Sequence, residues 1–344
     1  MPPSHKASIQ NMQQSTEVPI PTDPQLAAGL QAMLSVFPNG LDLQDLAATR
    51  AMLAAMHAKR PAAKPAKFGV TLHDFDMAGV PLRLYRPVAA AAPSAKVPSA
   101  LPVLIWLHGG GFLLGQLAWD DRRCMQLARD VGCAVLAVDY RLAPEHPFPA
   151  ALQDAYQALH FVQQQAGALA LDACRVAIGG ASAGAGLAAA VALWARDQGN
   201  PELCLQLLLY PMLDDRTVTG LVSPATATAG WSLAENRIAW RYYLGYTDAE
   251  HPAAVSPYAA PARATNLQGL PPTWIGVGSA DLFAEESKAF AMRLQQAEVP
   301  TTLCWYPQAF HGFDSWAAQS SAAKDCWQQQ VQALQQAFNA RLPA

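Results

Sequence analysis

The residues with the clearest chemical potential are the five from Gly180 to Gly184, which read Gly-Ala-Ser-Ala-Gly. They form a G-x-S-x-G motif between a β-rich run at residues 175–178 and an alanine-rich run that is predicted to be a helix. A serine at such a sharp strand-to-helix turn is strained, and its neighbours two positions away must be small. The motif therefore predicts a nucleophile at Ser182, above the sheet and beside the positive end of a helix. Taken alone, it also fits a turn without a catalytic role.

A second run of small residues follows another β-rich run, at residues 101–107. Three consecutive glycines let bare backbone N–H groups point at a substrate oxygen. With the N–H group of Ala183 they would form an oxyanion hole, in which each donor is worth roughly 10²–10³ in rate. The pairing of the two motifs favours catalysis over two flexible turns. The residues of this second run are His108, Gly109, Gly110 and Gly111.

A serine hydroxyl needs a base and a carboxylate, which follow it in the chain order Ser, Asp/Glu, His. His311 comes directly after the β-rich run at residues 302–306, so a loop would return it to the carboxyl edge of a parallel sheet. Asp281 follows the run at residues 273–277 through three small residues, which places it at the same edge. We therefore predict Ser182 as nucleophile, His311 as general base and Asp281 as the group that orients this base.

Four other side chains compete for these roles. Glu285 and Glu286 fall in the first turn of the next predicted helix, where carboxylates interact favourably with the helix dipole, and we assign them a capping role. Asp314 is too close to His311 in sequence to be preferred. His251 belongs to an insertion and is interpreted as a surface residue.

Beyond residue 65 the chain alternates short β-rich runs with helical stretches, which is typical of a doubly wound, largely parallel sheet. Two segments fall outside this alternation, at the N-terminus and between two strands, and both carry apolar residues at helical spacing. If these segments pack on each other, they form a lid over the sheet. We expect a catalytic domain of residues 68–213 and 265–344, under a helical cap of residues 1–67 and 214–264.

Composition excludes several classes of protein. A formal net charge of -3, without a cluster of Lys and Arg, gives no electrostatic footprint for nucleic acid. The six cysteines are widely spread with no CxxC pair, which predicts buried free thiols and no metal site. Residues 1–16 lack the apolar stretch of a secretory signal, so a cytoplasmic location is expected. The uncharged run at residues 176–195 is long enough to span a bilayer, but its glycines and serine favour a strand, turn and helix.

Together these motifs resemble the hormone-sensitive-lipase family (bacterial family IV) of carboxylesterases. The resemblance covers about residues 68 to 340 and implies an α/β-hydrolase fold with an eight-stranded, mostly parallel sheet, flanking helices and a helical cap. It also implies that the enzyme needs no cofactor, and that Gly110, Gly111 and Ala183 donate to the oxyanion. The resemblance rests on residues 108–111, 139–145 (Asp-Tyr-Arg-Leu-Ala-Pro-Glu), 180–184 and 210–213 (Tyr-Pro-Met-Leu), and on Asp281 and His311.

Two positions depart from the family pattern. Ala181 stands where the family commonly has an acidic residue just before the serine, which puts the fine positioning of the turn in doubt. Asp281-Leu282-Phe283 also lacks the proline that often follows the family's aspartate.

The sequence thus predicts a serine carboxylic-ester hydrolase for short to medium acyl esters, with aryl esters as a further candidate, acting through an acyl-enzyme. Amide hydrolysis or acyl transfer by the same triad is an alternative, as is a non-catalytic small-molecule receptor on this fold. A dinucleotide-binding oxidoreductase is weakly suggested by Gly184, Gly186 and Ala189, but these lie inside the predicted helix. A homodimer through an edge strand is an option by resemblance. Five aromatic residues could line a pocket but are favoured as cap core: Trp119, Trp231, Trp240, Tyr242 and Tyr243.

Overall fold

An eight-stranded sheet forms the centre of the protein. The computed structural model describes residues 21–88, 100–199, 203–218, 230–246, 252 and 254–340. In space the strands follow the order β1-β2-β4-β3-β5-β6-β7-β8; β2 is antiparallel to both of its neighbours and all other neighbours are parallel. The predicted mostly parallel sheet is confirmed. The strands are β1 (Val70–Met77), β2 (Val80–Pro87), β3 (Leu101–Leu107), β4 (Ala134–Val138), β5 (Leu171–Ala181), β6 (Leu205–Leu209), β7 (Thr273–Gly278) and β8 (Thr301–Tyr306).

Helices cover both faces of this sheet. Successive residues of β3 alternate between two cores, with Val103, Ile105 and Leu107 in one and Leu104 and Trp106 in the other. Burial on both faces explains the uninterrupted apolar run in this strand. The helices are α1 (Pro24–Val36), α2 (Leu46–Ala58), α3 (Pro65–Phe68), α4 (Leu117–Leu127), α5 (Ala150–Gln165), α6 (Ala183–Asp197), α7 (Leu233–Leu244), α8 (Ala284–Gln296), α9 (Phe313–Trp316) and α10 (Ser321–Asn339).

Strand β5 is longer than the predicted run at residues 175–178, because it begins at Leu171 and continues through two glycines to Ala181. Glycine is uncommon inside strands, because it has no side chain to pack against neighbouring strands. Here Gly179 pairs with Leu207 of β6, and a β-carbon on Gly179 would lie 2.8 Å from the Leu207 carbonyl oxygen. Strand β6 therefore approaches so closely that only glycine fits at position 179. The pairing of β5 with β6 continues up to the turn at Ser182.

The connections leave a crevice above the middle of the sheet. Strand β3 has β4 on one side and β5 on the other, so the chain leaves β3 and β5 in opposite directions. In open α/β sheets, ligands bind at the carboxyl ends of strands at such a switch point. The residues after β3 and β5 are the two glycine-containing motifs, which the fold thus brings to one place.

Two segments outside the alternation contact each other and the sheet. The N–H group of Leu41 donates to Glu235 at 2.6 Å, which links the N-terminal segment to the insertion. Arg50 on α2 donates to the carbonyl oxygens of Leu113 and Ala143, which joins α2 to the loops after β3 and β4. These contacts are those expected of a cap. The domain boundaries stay a prediction.

Two further sequence expectations concern thiols and membranes. Four of the six cysteines are buried and all six are free, but Cys174 is exposed, contrary to the expectation that all are buried. No helix among the described residues is long and apolar enough to cross a bilayer. The run at residues 176–195 forms part of β5, the turn and α6, as expected.

Candidate active site

Ser182 occupies the sharp turn between β5 and α6. Its backbone has φ 58° and ψ −121°, a conformation that is rare for residues other than glycine. β-Carbons on Gly180 and Gly184 would lie 2.5 Å and 2.2 Å from the carbonyl oxygen of Leu107 on β3. The flanking residues must therefore lack side chains, and the serine is held by the backbone around it. Its own N–H group donates to Leu209 at 2.9 Å.

A hydrogen-bonded chain joins the three residues predicted as a triad. Nε2 of His311 lies 3.0 Å from Oγ of Ser182, and Nδ1 of His311 lies 2.8 Å from Oδ2 of Asp281. These side chains come from the ends of β5, β7 and β8. All three residues are buried, with exposed fractions of 5% for Ser182, 9% for His311 and 1% for Asp281. The structure thus brings the predicted residues together in the predicted order.

Neighbouring groups fix the carboxylate and the imidazole. Oδ1 of Asp281 accepts from the N–H group of Phe283 at 2.8 Å, which leaves Oδ2 directed at the histidine. The rings of Tyr210 and Phe283 lie with their centroids 4.7 Å and 5.3 Å from that of the imidazole, both in edge-on arrangements. The imidazole of His311 is therefore confined by two aromatic rings.

The loop after β3 brings three glycines close to the serine. Gly110 and Gly111 have φ values of 120° and 61°, where glycine is strongly favoured. Within the described residues, no acceptor is found for the backbone N–H groups of Gly110, Gly111 and Ala183. A β-carbon on Gly109 would lie 3.4 Å from the β-carbon of Ser182, so the loop passes directly beside the serine. The amides predicted as oxyanion donors are thus unpaired among the described residues.

His108 supports this loop. Its ring stacks on Tyr140 with centroids 4.2 Å apart, and its carbonyl oxygen accepts from the Tyr140 hydroxyl at 2.7 Å. A β-carbon on Gly115 would lie 2.1 Å from Nδ1 of His108, so the loop folds back onto the ring. The histidine therefore anchors the glycine loop, which agrees with its predicted supporting role.

A cavity of about 540 Å³ opens onto Ser182 and His311. Gly109 and Gly110 belong to its wall. Gly111 and Ala183 are buried and do not belong to the lining formed by the described residues. The roof comes from the N-terminal segment and the insertion. The roof residues include Phe37, Pro38, Leu41, Leu53, Trp231 and Glu235.

The aromatic residues expected in the cap core divide into two groups. Trp119 and Trp231 line the cavity, but Trp231 is also buried in the core at 4% exposure, so the expectation is wrong for Trp119 alone. Tyr242 packs half-buried against the same core. Trp240 and Tyr243 are buried at 0% and 1% exposure, and their rings pack against Phe112 of the glycine loop. Helical spacing identifies an apolar face, but it does not show whether that face meets a core or a cavity.

The competing acidic residues have other partners. Glu286 lies in the first turn of α8, but its buried carboxylate accepts from the N–H groups of Leu213 and Asp214 and from the hydroxyl of Thr217. The predicted capping role is therefore wrong for Glu286, which instead fixes the start of the insertion. Glu285 is exposed, and no side chain caps α8.

Burial raises the pKa of Glu286 well above its ordinary value of 4.5, and the nearby Asp214 adds to this shift while the hydrogen bonds from Leu213 and Thr217 oppose it. Asp314 pairs with Arg123 and Tyr210 rather than with His311. His251 lies outside the described residues.

Three residues that the sequence analysis did not assign also line the cavity, namely Arg123, Glu235 and Tyr210. Tyr210 opens the Tyr-Pro-Met-Leu motif, which was a usable signal. Nothing in the sequence distinguishes Arg123 from other charged helical residues, and the Ser232-x-x-Glu235 spacing indicates a helix start but not a place in the cavity wall. Among the described residues, no group of three or more His, Cys, Asp or Glu could hold a metal ion.

The glycines that suggested a dinucleotide site have a packing role. A β-carbon on Gly186 would lie 2.0 Å from the carbonyl oxygen of Met212, and one on Gly184 would meet Leu107. Both glycines sit inside α6 and allow the helix to approach neighbouring backbone closely. They form no phosphate-binding turn.

Comparison with known proteins gives a consistent picture. A family model described as alpha/beta hydrolase fold matches residues 104–315. The esterase LipI of Mycobacterium tuberculosis is 36% identical over 255 residues, which cover 73% of this chain and 76% of LipI. The carboxylesterase NlhH of the same species is 34% identical over 263 residues, which cover 76% of this chain and 79% of NlhH. Among solved structures, a bacterial heroin esterase aligns over 92% of this chain and 99% of its own, with 35% identity and a TM-score of 0.79.

Proposed function

Since this chain belongs to the alpha/beta hydrolase fold family, in its hormone-sensitive-lipase (bacterial family IV) branch, and is a carboxylesterase, we propose that Ser182 attacks the ester carbonyl. The observation that carries this proposal is the hydrogen-bonded chain from Ser182 through His311 to Asp281. The substrates are esters of short to medium acyl chains, for which a cavity of about 540 Å³ has room.

In the first half of the reaction, His311 takes the proton of Ser182 as its oxygen attacks the carbonyl carbon. Asp281 accepts from Nδ1 of His311, which fixes the tautomer and stabilises the imidazolium that forms. The negative charge on the carbonyl oxygen is held by the N–H groups of Gly110, Gly111 and Ala183. His311 then protonates the departing alcohol, and an acyl-enzyme remains on Ser182.

In the second half, His311 removes a proton from water, which attacks the acyl-enzyme and releases the acid. The imidazole accepts each of these protons in its neutral form. The carboxylate of Asp281 already lies 2.8 Å from Nδ1 of His311 before the reaction begins, so little reorganisation is needed as positive charge develops on the imidazole.

The proposal is tested with Ser182→Ala and with a serine-reactive phosphonate. We expect the wild-type protein to hydrolyse a series of model esters of increasing acyl length, and the phosphonate to label Ser182. The substitution lowers kcat by about 10⁶-fold or to below detection. A rate that survives the substitution, or labelling at another residue, overturns the assignment.

The same assay separates the alternatives. A non-catalytic receptor shows neither turnover nor labelling, and an amidase or acyltransferase prefers the matching amide or transfers the acyl group to an added alcohol.

Cytoplasmic location and dimerisation through an edge strand stay predictions from sequence and resemblance. The two edge strands of the sheet are β1 and β8.

A further inference from the structure

Asp314 is a buried carboxylate outside the triad, and it joins three elements that surround His311. It lies three residues beyond His311 in α9, and its side chain is 6% exposed. Oδ2 accepts from Nη2 of Arg123 on α4, and Oδ1 accepts from the hydroxyl of Tyr210 at 2.9 Å. Tyr210 follows the last residue of β6. One carboxylate therefore connects α4, the end of β6 and the segment that carries the histidine.

Tyr210 is the member of this group that touches the imidazole. Its ring centroid lies 4.7 Å from that of His311, with the two planes at 60°. Its backbone has φ 37°, which is uncommon for a bulky residue and persists only where the surroundings enforce it. Two contacts enforce it here, because the N–H group donates to Gly276 at 2.7 Å and the hydroxyl donates to Asp314.

The charges in this group keep the two hydrogen bonds strong. Burial opposes the charge of Arg123, but the neighbouring Asp314 raises the pKa of Arg123 overall, so the guanidinium stays protonated. Burial also raises the pKa of Tyr210 well above its ordinary value, so its hydroxyl remains a donor. The guanidinium carbon of Arg123 lies 5.5 Å from the ring centroid of Trp106, which gives the cation a second favourable contact.

We propose that Arg123, Asp314 and Tyr210 form a positioning network that holds the imidazole of His311 between Ser182 and Asp281 during turnover. This inference rests on the proposed function, in which His311 is the general base. The network acts through the aromatic ring of Tyr210. Within the described residues, none of its three side chains hydrogen-bonds to the triad.

Tyr210→Phe and Asp314→Asn test the network: the first removes the donor of the Tyr210–Asp314 hydrogen bond, and the second neutralises the carboxylate that Tyr210 and Arg123 share. Tyr210→Phe keeps the ring and removes only the hydroxyl. We expect each variant to lower kcat on a model ester by about 10-fold to 100-fold, the size of effect that a small misplacement of a reacting group produces. KM stays nearly unchanged, because the cavity wall keeps its shape. The double variant loses less than the product of the two single losses, because both substitutions weaken the same Tyr210–Asp314 contact.

Asp215→Asn is the matched control. Asp215 forms a comparable buried pair with Arg263 at 2.6 Å, and the side chains are 0% and 19% exposed. Loss of that carboxylate lowers Tm and leaves kcat unchanged. If Asp314→Asn does not fold, Tyr210→Phe alone decides.

Labelling of wild-type Ser182 by the phosphonate separates this inference from the proposed function. Absence of labelling overturns both. Labelling together with an unchanged kcat in Tyr210→Phe overturns the positioning network alone, as do kcat losses that multiply in the double variant.

Discussion

Two buried carboxylates that are five residues apart, Asp281 and Glu286, do different work because their partners differ. Asp281 accepts from the Phe283 N–H group and faces the imidazole of His311. Glu286 faces backbone N–H groups at the start of the insertion and a threonine hydroxyl. The first arrangement fits an ionised partner for a histidine that becomes charged in the reaction. The carboxylate of Glu286, in contrast, holds the start of the insertion in place by hydrogen bonds, and burial opposes its ionisation.

Replacement of Glu286 by Gln is expected to change how stability depends on pH. The pKa of Glu286 in the folded protein is raised above 4.5, so on raising the pH the unfolded chain releases this proton first. The folded state then binds more protons than the unfolded state, and the free energy of unfolding falls as pH rises above 4.5. Glu286→Gln has no such proton and keeps an acceptor for the Leu213 N–H group.

Urea unfolding of both proteins between pH 4.5 and neutral pH measures this effect. The stability of the wild-type protein relative to Glu286→Gln should decline steadily as pH rises. Glu285→Gln, at the exposed position one residue earlier, is the control and should show no such trend. A stability difference that is the same at every pH would contradict the expectation.

At the scale of elements, glycines let three pieces of backbone meet under the nucleophile. Helix α6 approaches β3 so closely that Gly184 has no room for a methyl group, and Gly180 on β5 is equally confined. The same helix meets the segment after β6 at Gly186. Because α6 begins at the serine turn, its distance from β3 sets the distance between Ser182 and the glycine loop.

Gly184→Ala should therefore disturb both stability and catalysis. The added methyl group would lie 2.2 Å from the carbonyl oxygen of Leu107 and 2.3 Å from that of His108, which are backbone atoms that cannot turn aside. We expect a loss of about 1–3 kcal/mol in the free energy of unfolding, together with a lower kcat. Thermal unfolding and ester hydrolysis measure the two effects.

Gly167→Ala is the control for this substitution. Gly167 has no atom within 4 Å of the added methyl group and no left-handed backbone, so the change should leave Tm and kcat near their wild-type values. Full activity of Gly184→Ala would show that α6 can move away from β3 without moving the serine.

At the scale of the whole molecule, the cavity is built from parts of the chain that are far apart in sequence. Its floor comes from the sheet edge, and its roof from the N-terminal segment and the insertion. Glu235 of the insertion links directly to the N-terminal segment, since one of its carboxylate oxygens accepts from the N–H group of Leu41 at 2.6 Å. The other oxygen accepts from the N–H group of Ser232, within the insertion, also at 2.6 Å. Loss of the hydrogen bond between the two segments should make the cavity roof less rigid and leave the positions of Ser182, Asp281 and His311 unchanged.

Glu235→Ala is expected to raise KM by about tenfold, equivalent to about 1.4 kcal/mol of lost binding, with a smaller effect on kcat. It leaves the partly buried N–H group of Leu41 without its acceptor and also removes half of the capping box of α7. Steady-state kinetics with a medium-chain ester measure the change. Ser232→Ala removes only the bond from the Glu235 N–H group to the serine hydroxyl, so it isolates the helix cap from the Leu41 link. If both variants raise KM equally, the bridge between the roof segments has no separate effect.

The sequence by itself determined the sheet and the positions of the predicted chemistry. Short apolar runs and turn glycines locate the strands because they report local backbone preference and burial. Ser182, Asp281 and His311 each follow a strand, and parallel strands end at one edge, so the sequence pattern alone predicts that they meet there.

Only the tertiary structure decided which side chains face the cavity and which charged groups pair. Trp119 and Trp231 line the cavity, whereas Trp240 and Tyr243 are buried away from it. The pairing of Asp314 with Arg123 joins positions 191 residues apart. Such contacts depend on how helices and loops pack across the sheet, and local periodicity carries no information about the partner on the other side.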